Sequence, residues 1–252
     1  THSKEVSIEF TIDGKTCRMG AIAKGSGMIH PNMATMLLFI TTDAKVEPAV
    51  LQAALSSVVP ATFNQISVDG DTSTNDACVV LCNGSAGNPL IDWKDDNYNI
   101  FKDALMYVCT YMARAIAADG EGATKLLECK VSGAKSENDA KAVAKSVICS
   151  SLLKAAMFGA DANWGRVLCA VGYSKAEVDV NKIDVAFASK AGTVEVCKNG
   201  AGIEFSEEKA KTVLSEKEIE ILISLNDGNG DATAWGCDLT YDYVKINGDY
   251  RT

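Results

Sequence analysis

Thr35 sits where a glycine-loosened loop, Lys24-Gly25-Ser26-Gly27-Met28-Ile29-His30-Pro31-Asn32-Met33-Ala34, runs into the apolar stretch Met36–Thr42. A small residue ahead of a β-branched alcohol is a suitable place for a backbone cut. A break between Ala34 and Thr35 would make Thr35 a new N-terminus. Its own α-amino group would then lie within reach of its hydroxyl, a pairing that activates an otherwise weak nucleophile. On the residues alone the more usual reading is another: threonine at the start of a strand is an ordinary β-former.

Three other stretches carry polar groups in unusual density. Asp69-Gly70-Asp71-Thr72-Ser73-Thr74-Asn75-Asp76 is wedged between two apolar runs; it is either a turn tied by its own side chains or one wall of an active site. Glu121 stands between Gly120 and Gly122, where a solvated turn carboxylate is the plain reading. Asp227-Gly228-Asn229-Gly230-Asp231 opens like a calcium loop, but Ala232 stands where glycine is required and Asp238 where a bidentate glutamate is. It is read as a hairpin turn, and no metal site is expected.

The elements that must position these residues follow from periodicity. Val6, Ile8 and Phe10 alternate with polar residues, Asp13-Gly14 makes a turn, and Thr16–Ile22 returns. Met36–Thr42 is apolar on both faces and is placed centrally in a sheet. Helices are expected over 50–59, from Trp93 to about Ala118, from about Glu137 to Ala156, over a short segment capped by Asp161 or Asn163, and over 207–212. Further strands are expected over 65–68, 77–82, 125–131, 183–188, 193–196 and 219–225, and the chain is read as closing in strands, 235–240 and 243–246. Helices and strands mix without strict alternation, which defines an α+β class.

Composition narrows the function. A chain of 252 residues with 47% hydrophobic content can bury a large core. Its net charge of −9 argues against a nucleic-acid or anionic-membrane surface. No apolar run approaches the roughly 18–20 residues that span a bilayer. Nine scattered cysteines without CxxC pairs suit buried thiols in a reducing compartment. The chain opens at Thr1 directly into a strand, as if within a domain.

Lys24–Leu37, continued by Phe39-Ile40-Thr41-Thr42-Asp43-Ala44, resembles the self-cleavage segment of the ornithine acetyltransferase family, the ArgJ-type enzymes also called bifunctional glutamate N-acetyltransferases. Asp69–Asp76, Gly120–Lys125, Gly159–Arg166 and the closing Tyr250-Arg251-Thr252 match as well, so the resemblance spans the chain. It implies the layered αββα body of self-cleaving DmpA/ArgJ-like proteins. It also implies autoproteolysis between Ala34 and Thr35, after which Thr35 takes acetyl from N2-acetylornithine and passes it to glutamate in arginine biosynthesis. Lys24, Thr35, Glu121, Asn247 and Thr252 are the implied substrate-binding residues. The charge of Lys24 suits a substrate carboxylate, and that of Glu121 an amine. Asp69–Asp76 takes a structural role behind the site, and Gly159–Arg166 packs nearby without chemistry.

The same resemblance makes residues 1–34 the end of an alpha chain and 35–252 the beta chain, forming one body. A preceding alpha-chain region supplies the oxyanion hole, so this stretch by itself is expected to be inactive or nearly so. The expected assembly is an alpha2beta2 heterotetramer or larger, in the cytoplasm or, in a eukaryote, an organelle matrix. No cofactor is implied; acetyl-CoA enters, if at all, as a substrate. One alternative is a related self-cleaving aminopeptidase or amidohydrolase that passes the acyl group to water. Another is a non-catalytic remnant whose Thr35 is never freed.

Overall fold

The computed structural model describes residues 1–33 and 35–250 and divides into two compact units, Thr1–Asn64 with Asp71–Ile116, and Gln65–Gly70 with Ala117–Thr252. The first begins with β1 (Glu5–Ile12), β2 (Lys15–Lys24) and β3 (Leu37–Thr42). Asp13 and Gly14 have φ of 49° and 74°, the left-handed pair that a tight hairpin demands. α1 (Pro48–Val58) starts at proline in its first turn, and the Glu47 carboxylate accepts from the N–H groups of Ala49 and Val50. β4 (Ile66–Ser67) belongs to the second unit, and β5 (Ala77–Cys82) returns to the first. α2 (Asp96–Ala118) follows.

Strand order in the first sheet is β1-β2-β3-β5, with β3 antiparallel to β2 and parallel to β5. β3 is interior, as its apolar run requires. Period-two alternation sends Ile12, Cys17, Met19, Ala21, Leu38 and Ile40 to a buried face. The buried residues of α2, among them Phe101, Leu105, Val108 and Met112, supply its other side, with the Phe101 ring centroid 6.3 Å from that of Phe10. The opposite face leaves Ile22, Leu37, Phe39, Val79 and Leu81 between 37% and 61% exposed. Trp93, expected inside α2, lies outside it and is exposed, because Asp95 caps the helix by accepting from the Tyr98 N–H at 3.0 Å.

The second unit continues with β6 (Leu126–Ala134), α3 (Glu137–Cys149), α4 (Ser151–Phe158), α5 (Trp164–Gly172), β7 (Asp184–Ser189), β8 (Gly192–Lys198), β9 (Ala201–Gly202), α6 (Glu207–Leu214), β10 (Glu218–Ser224), β11 (Gly230–Cys237) and α7 (Tyr241–Asp249). Its sheet order is β4-β11-β6-β10-β7-β8-β9. Leu127, Cys129 and Val131 of β6 and Ile219, Ile221 and Ile223 of β10 pack with Val143 and Val147 of α3, Val167 of α5 and Val213 of α6 in one buried cluster.

Three sequence expectations change here. The single helix expected from Glu137 to Ala156 is two, because Ser150 leaves helical geometry (φ −68°, ψ 110°) and its side chain caps α4 by accepting from the Leu153 N–H. The 227–231 segment is not a hairpin turn. β6 lies between β10 and β11, so the loop passes over the end of β6, held by Leu225 N–H to Ser132 O and Asp227 N–H to Gly133 O. The Asp227 carboxylate pairs with Lys182 and Lys135, and Asp231 accepts from the Gly133 N–H at 3.1 Å. Finally, 243–246 is helical. Thr240 accepts from the Tyr243 N–H and starts α7, whose apolar Val244 and Ile246 mimic strand alternation in the sequence.

Candidate active site

Three neighbouring strands of the first unit, β2, β3 and β5, bring their chemistry to one end of the sheet. β2 ends at Lys24, which pairs with Leu37 at the start of β3; Leu37 pairs in turn with Ala77 at the start of β5. An antiparallel neighbour contributes its exit and a parallel neighbour its entrance, so the segments before β3 and β5 meet. Thr35 lies in the first of these and Ser73 to Asp76 in the second.

The Thr35 hydroxyl donates to Ser73 Oγ, and Met28 Sδ is 3.6 Å from Thr35 Oγ1. Ser73 is buried and also accepts from the Asn75 N–H at 3.0 Å, which fixes its oxygen. One residue on, the Met36 N–H donates to Asp76 Oδ1 at 2.9 Å, and Met36 O accepts from the Ala77 N–H at 2.9 Å. Asp76 is 9% exposed, and its Oδ2 is buried with no partner among the described residues. Burial raises its carboxyl pKa above the ordinary carboxylate value, opposed by the hydrogen bond from Met36. Ties on the loop ahead of Thr35 include Met33 N–H, which donates to Asn64 Oδ1 at 3.2 Å, and Thr72 Oγ1, which donates to His30 O at 2.9 Å. Met28 holds a left-handed φ of 53°, a backbone cost in the same loop.

The polar run at 69–76, read from sequence as a structural element behind the site, thus touches the nucleophile candidate directly through Ser73. The signal was present in the density of hydroxyl and carboxyl groups at a sheet end. Nothing local identified which of the eight residues would face Thr35.

In the second unit, Glu121 Oε2 accepts from Asn247 Nδ2 at 3.0 Å, joining two sequence-predicted substrate residues from distant parts of the chain. Gly122 has φ +68°, and a Cβ there would lie 2.6 Å from Tyr243 N, so only glycine lets the turn approach α7. Thr240 Oγ1 donates to Gly122 O at 2.7 Å and closes the contact. Below it, Asp238 Oδ1 accepts from the N–H groups of Thr124 and Lys125 at 2.8 and 3.0 Å. The buried Lys125 ammonium donates to Met157 O and Leu214 O at 2.5 and 2.7 Å. Asn163, not Asp161, caps α5 by accepting from the Arg166 N–H. Lys24 and Thr35 belong to the first unit, Glu121 and Asn247 to the second. Ala34 and Thr252, the other two candidates, lie outside the described residues.

Fold and site define an α+β protein with a threonine hydroxyl held at the entrance of a central strand. The family model described as "ArgJ family" matches residues 1–252, and the chain belongs to that family. It is 55% identical over 252 residues to arginine biosynthesis bifunctional protein ArgJ 1 of Clostridium acetobutylicum, covering 100% of this chain and 62% of that protein. It is 54% identical to the ArgJ protein of Caldanaerobacter subterraneus subsp. tengcongensis, with the same two coverages, 100% and 62%. A crystal structure of ArgJ from Bacillus halodurans superposes with a TM-score of 0.79 at 46% identity, covering 83% of this chain and 97% of that one. The chain therefore spans about three fifths of the length of the curated relatives it matches.

Proposed function

We propose that, in a protein of the relatives' full length, Thr35 is the acyl-accepting nucleophile of an ornithine acetyltransferase, freed by self-cleavage between Ala34 and Thr35. The observation that carries this reading is the Thr35 hydroxyl fixed on the buried Ser73 oxygen at the mouth of β3. A threonine serving only β-propensity has no need of such an arrangement.

The hydroxyl oxygen attacks the acetyl carbonyl of N2-acetylornithine, its proton passing to the Thr35 amine. The tetrahedral species collapses to an acetyl ester as the acetyl–nitrogen bond breaks, and ornithine leaves with the proton. Glutamate's amine then attacks the ester and regenerates Thr35, which gives ping-pong kinetics. Lys24, whose Cα is registered opposite Leu37, is proposed to receive a substrate carboxylate. Glu121 and Asn247, and with them Thr252, are proposed substrate ligands. The oxyanion donors are assigned to residues outside this chain, where losing one costs about 2.7–4 kcal/mol. Acetyl-CoA is proposed as a second acetyl donor, in keeping with relatives that are named bifunctional. An alpha2beta2 heterotetramer and a cytoplasmic location complete the proposal; the buried thiols of Cys17, Cys109, Cys129, Cys197 and Cys237 favour a reducing compartment. No helix among the described residues is long and apolar enough to cross a membrane.

The test is intact-mass spectrometry of the full-length protein with acetylornithine. Pieces ending at Ala34 and beginning at Thr35, the second gaining an acetyl group that glutamate removes, are expected. An uncut protein would favour the remnant, acetyl loss to water in preference to glutamate would favour the hydrolase, and acetyl exchange surviving Thr35→Ala would refute Thr35 as nucleophile.

A further inference from the structure

We propose that Asp76 is the counter-ion of the freed Thr35 amine, a positioning residue that holds this amine as the base beside its own hydroxyl. The inference rests on the functional reading above and adds a group to it.

Asp76 is clamped to the residue after Thr35: its Oδ1 accepts from the Met36 N–H at 2.9 Å. The nitrogens of consecutive residues are separated by three bonds, N–Cα, Cα–C and C–N, and so lie no more than about 3.7 Å apart at any torsion. A carboxylate oxygen 2.9 Å from Met36 N therefore lies within about 6.6 Å of Thr35 N, and the second oxygen is assigned to that nitrogen. That second oxygen, Oδ2, is the one that is buried with no partner among the described residues. A buried acceptor left empty costs about 1–3 kcal/mol in an ordinary protein, so an empty one at a reacting centre calls for an occupant that arrives later. In an uncut chain Thr35 N is a neutral amide. Cleavage converts it to an amine that becomes an ammonium each time it takes the hydroxyl proton, and the cation then faces the vacant oxygen.

The resulting order is nucleophile, base and orienting carboxylate, here Thr35 Oγ1, Thr35 N and Asp76, with Ser73 holding the hydroxyl. The proton travels from Thr35 Oγ1 to Thr35 N and on to the departing amine. Other titratable groups on the surrounding segments are Lys24 at the end of β2, His30 in the loop ahead, Asp71 in the run behind and Arg114 on α2. None of them figures among the influences on Asp76, which are its burial and the Met36 N–H.

The experiment uses the full-length protein and potassium cyanate, which carbamylates only the unprotonated amine. The rate at Thr35 is followed by mass spectrometry from pH 6 to 10. In the wild type the amine is expected to titrate at least about one unit above the ordinary α-amino range of about 7.7–8.0, and Asp76→Asn is expected to bring it back into or below that range. A wild-type amine titrating at or below the ordinary range overturns the assignment, as does an Asn variant titrating like the wild type. If the Asn variant stays uncut, the wild-type value alone decides. Protein that is cut and acetylated on Thr35 but has an ordinary amine refutes Asp76 only; wild-type protein that is never cut refutes the functional reading itself.

Discussion

Replacing Ser73 by alanine tests how far the hydroxyl of Thr35 depends on being aimed. Ser73 Oγ is the acceptor for Thr35 Oγ1, and at 4% exposure the site admits no easy water in its place. Deleting the oxygen removes one hydrogen bond, a net loss of about 1 kcal/mol. It also lets the hydroxyl sample its three staggered positions, a further loss of up to about 0.6 kcal/mol. The sum, about 1–2 kcal/mol in the transition state, corresponds to a fall of about 5- to 30-fold in kcat/KM for ester formation. Stability should change little, because the other donor to Ser73, the Asn75 N–H, belongs to an exposed residue and can turn to water. The assay is single-turnover acetylation of full-length protein by acetylornithine, quenched on the millisecond scale and read by mass, with rates normalised to the fraction cut. A change under about twofold would show that Ser73 does not orient the nucleophile. A loss beyond about a thousandfold would place Ser73 in the chemistry itself, not in its geometry.

Other perturbations have equally definite outcomes. Gly122→Ala puts a Cβ 2.6 Å from Tyr243 N at a φ of +68°; the left-handed cost of about 1–2 kcal/mol plus displacement of α7 should lower Tm by several degrees in calorimetry, and an unchanged Tm would refute the close approach. Lys145, whose ammonium donates to Ile66 O at 2.6 Å, has its pKa lowered by burial from 10.5 to about 8. Between those values the unfolded chain holds a proton that the folded chain releases, so stability gains up to about 3 kcal/mol as pH rises through the window. Lys145→Met should lack that gain, and a wild-type-minus-variant difference in urea-unfolding free energy that stays constant from pH 7.5 to 10 would refute it. The bare face carrying Ile22, Phe39 and Leu81 should bind the dye ANS, and Phe39→Ser with Leu81→Ser should reduce the fluorescence without lowering Tm by more than a few degrees; undiminished fluorescence would show that the dye sits elsewhere.

What the sequence disclosed and what it withheld divide along the range of the forces involved. Alternation in Val6–Phe10 and Thr16–Ile22, with Asp13-Gly14 between them, gave the first hairpin, because a two-residue turn and its strands are local. The run Met36–Thr42 was rightly placed inside a sheet by its apolar character. Errors arose where two local signals competed. Continuous apolar periodicity concealed the Ser150 break, and the spacing of Val244 and Ile246 outweighed the threonine cap at 240. The supposed turn at 227–231 failed for a different reason: which strand neighbours which is decided by long-range packing, and β6 occupies the place between β10 and β11. Thr35 and Glu121 became candidates through short motifs, whereas Ser73 and Asp76 could be singled out from their neighbours only by the β3–β5 pairing.

That pairing is what converts a polar run into a candidate site. Two parallel neighbours start at the same sheet edge, so whatever precedes one strand lies beside whatever precedes the other. With Leu37 opposite Ala77, Met36 exchanges a backbone bond with Ala77 and a side-chain bond with Asp76, leaving Thr35 to meet Ser73. A slip of one residue would present the wrong nitrogen to Asp76 and turn Leu38 and Ile40 out of the core onto the bare face. Burial of those two side chains therefore fixes the register that aligns the proposed nucleophile, and a hydrophobic requirement in the middle of β3 sets which groups meet at its mouth.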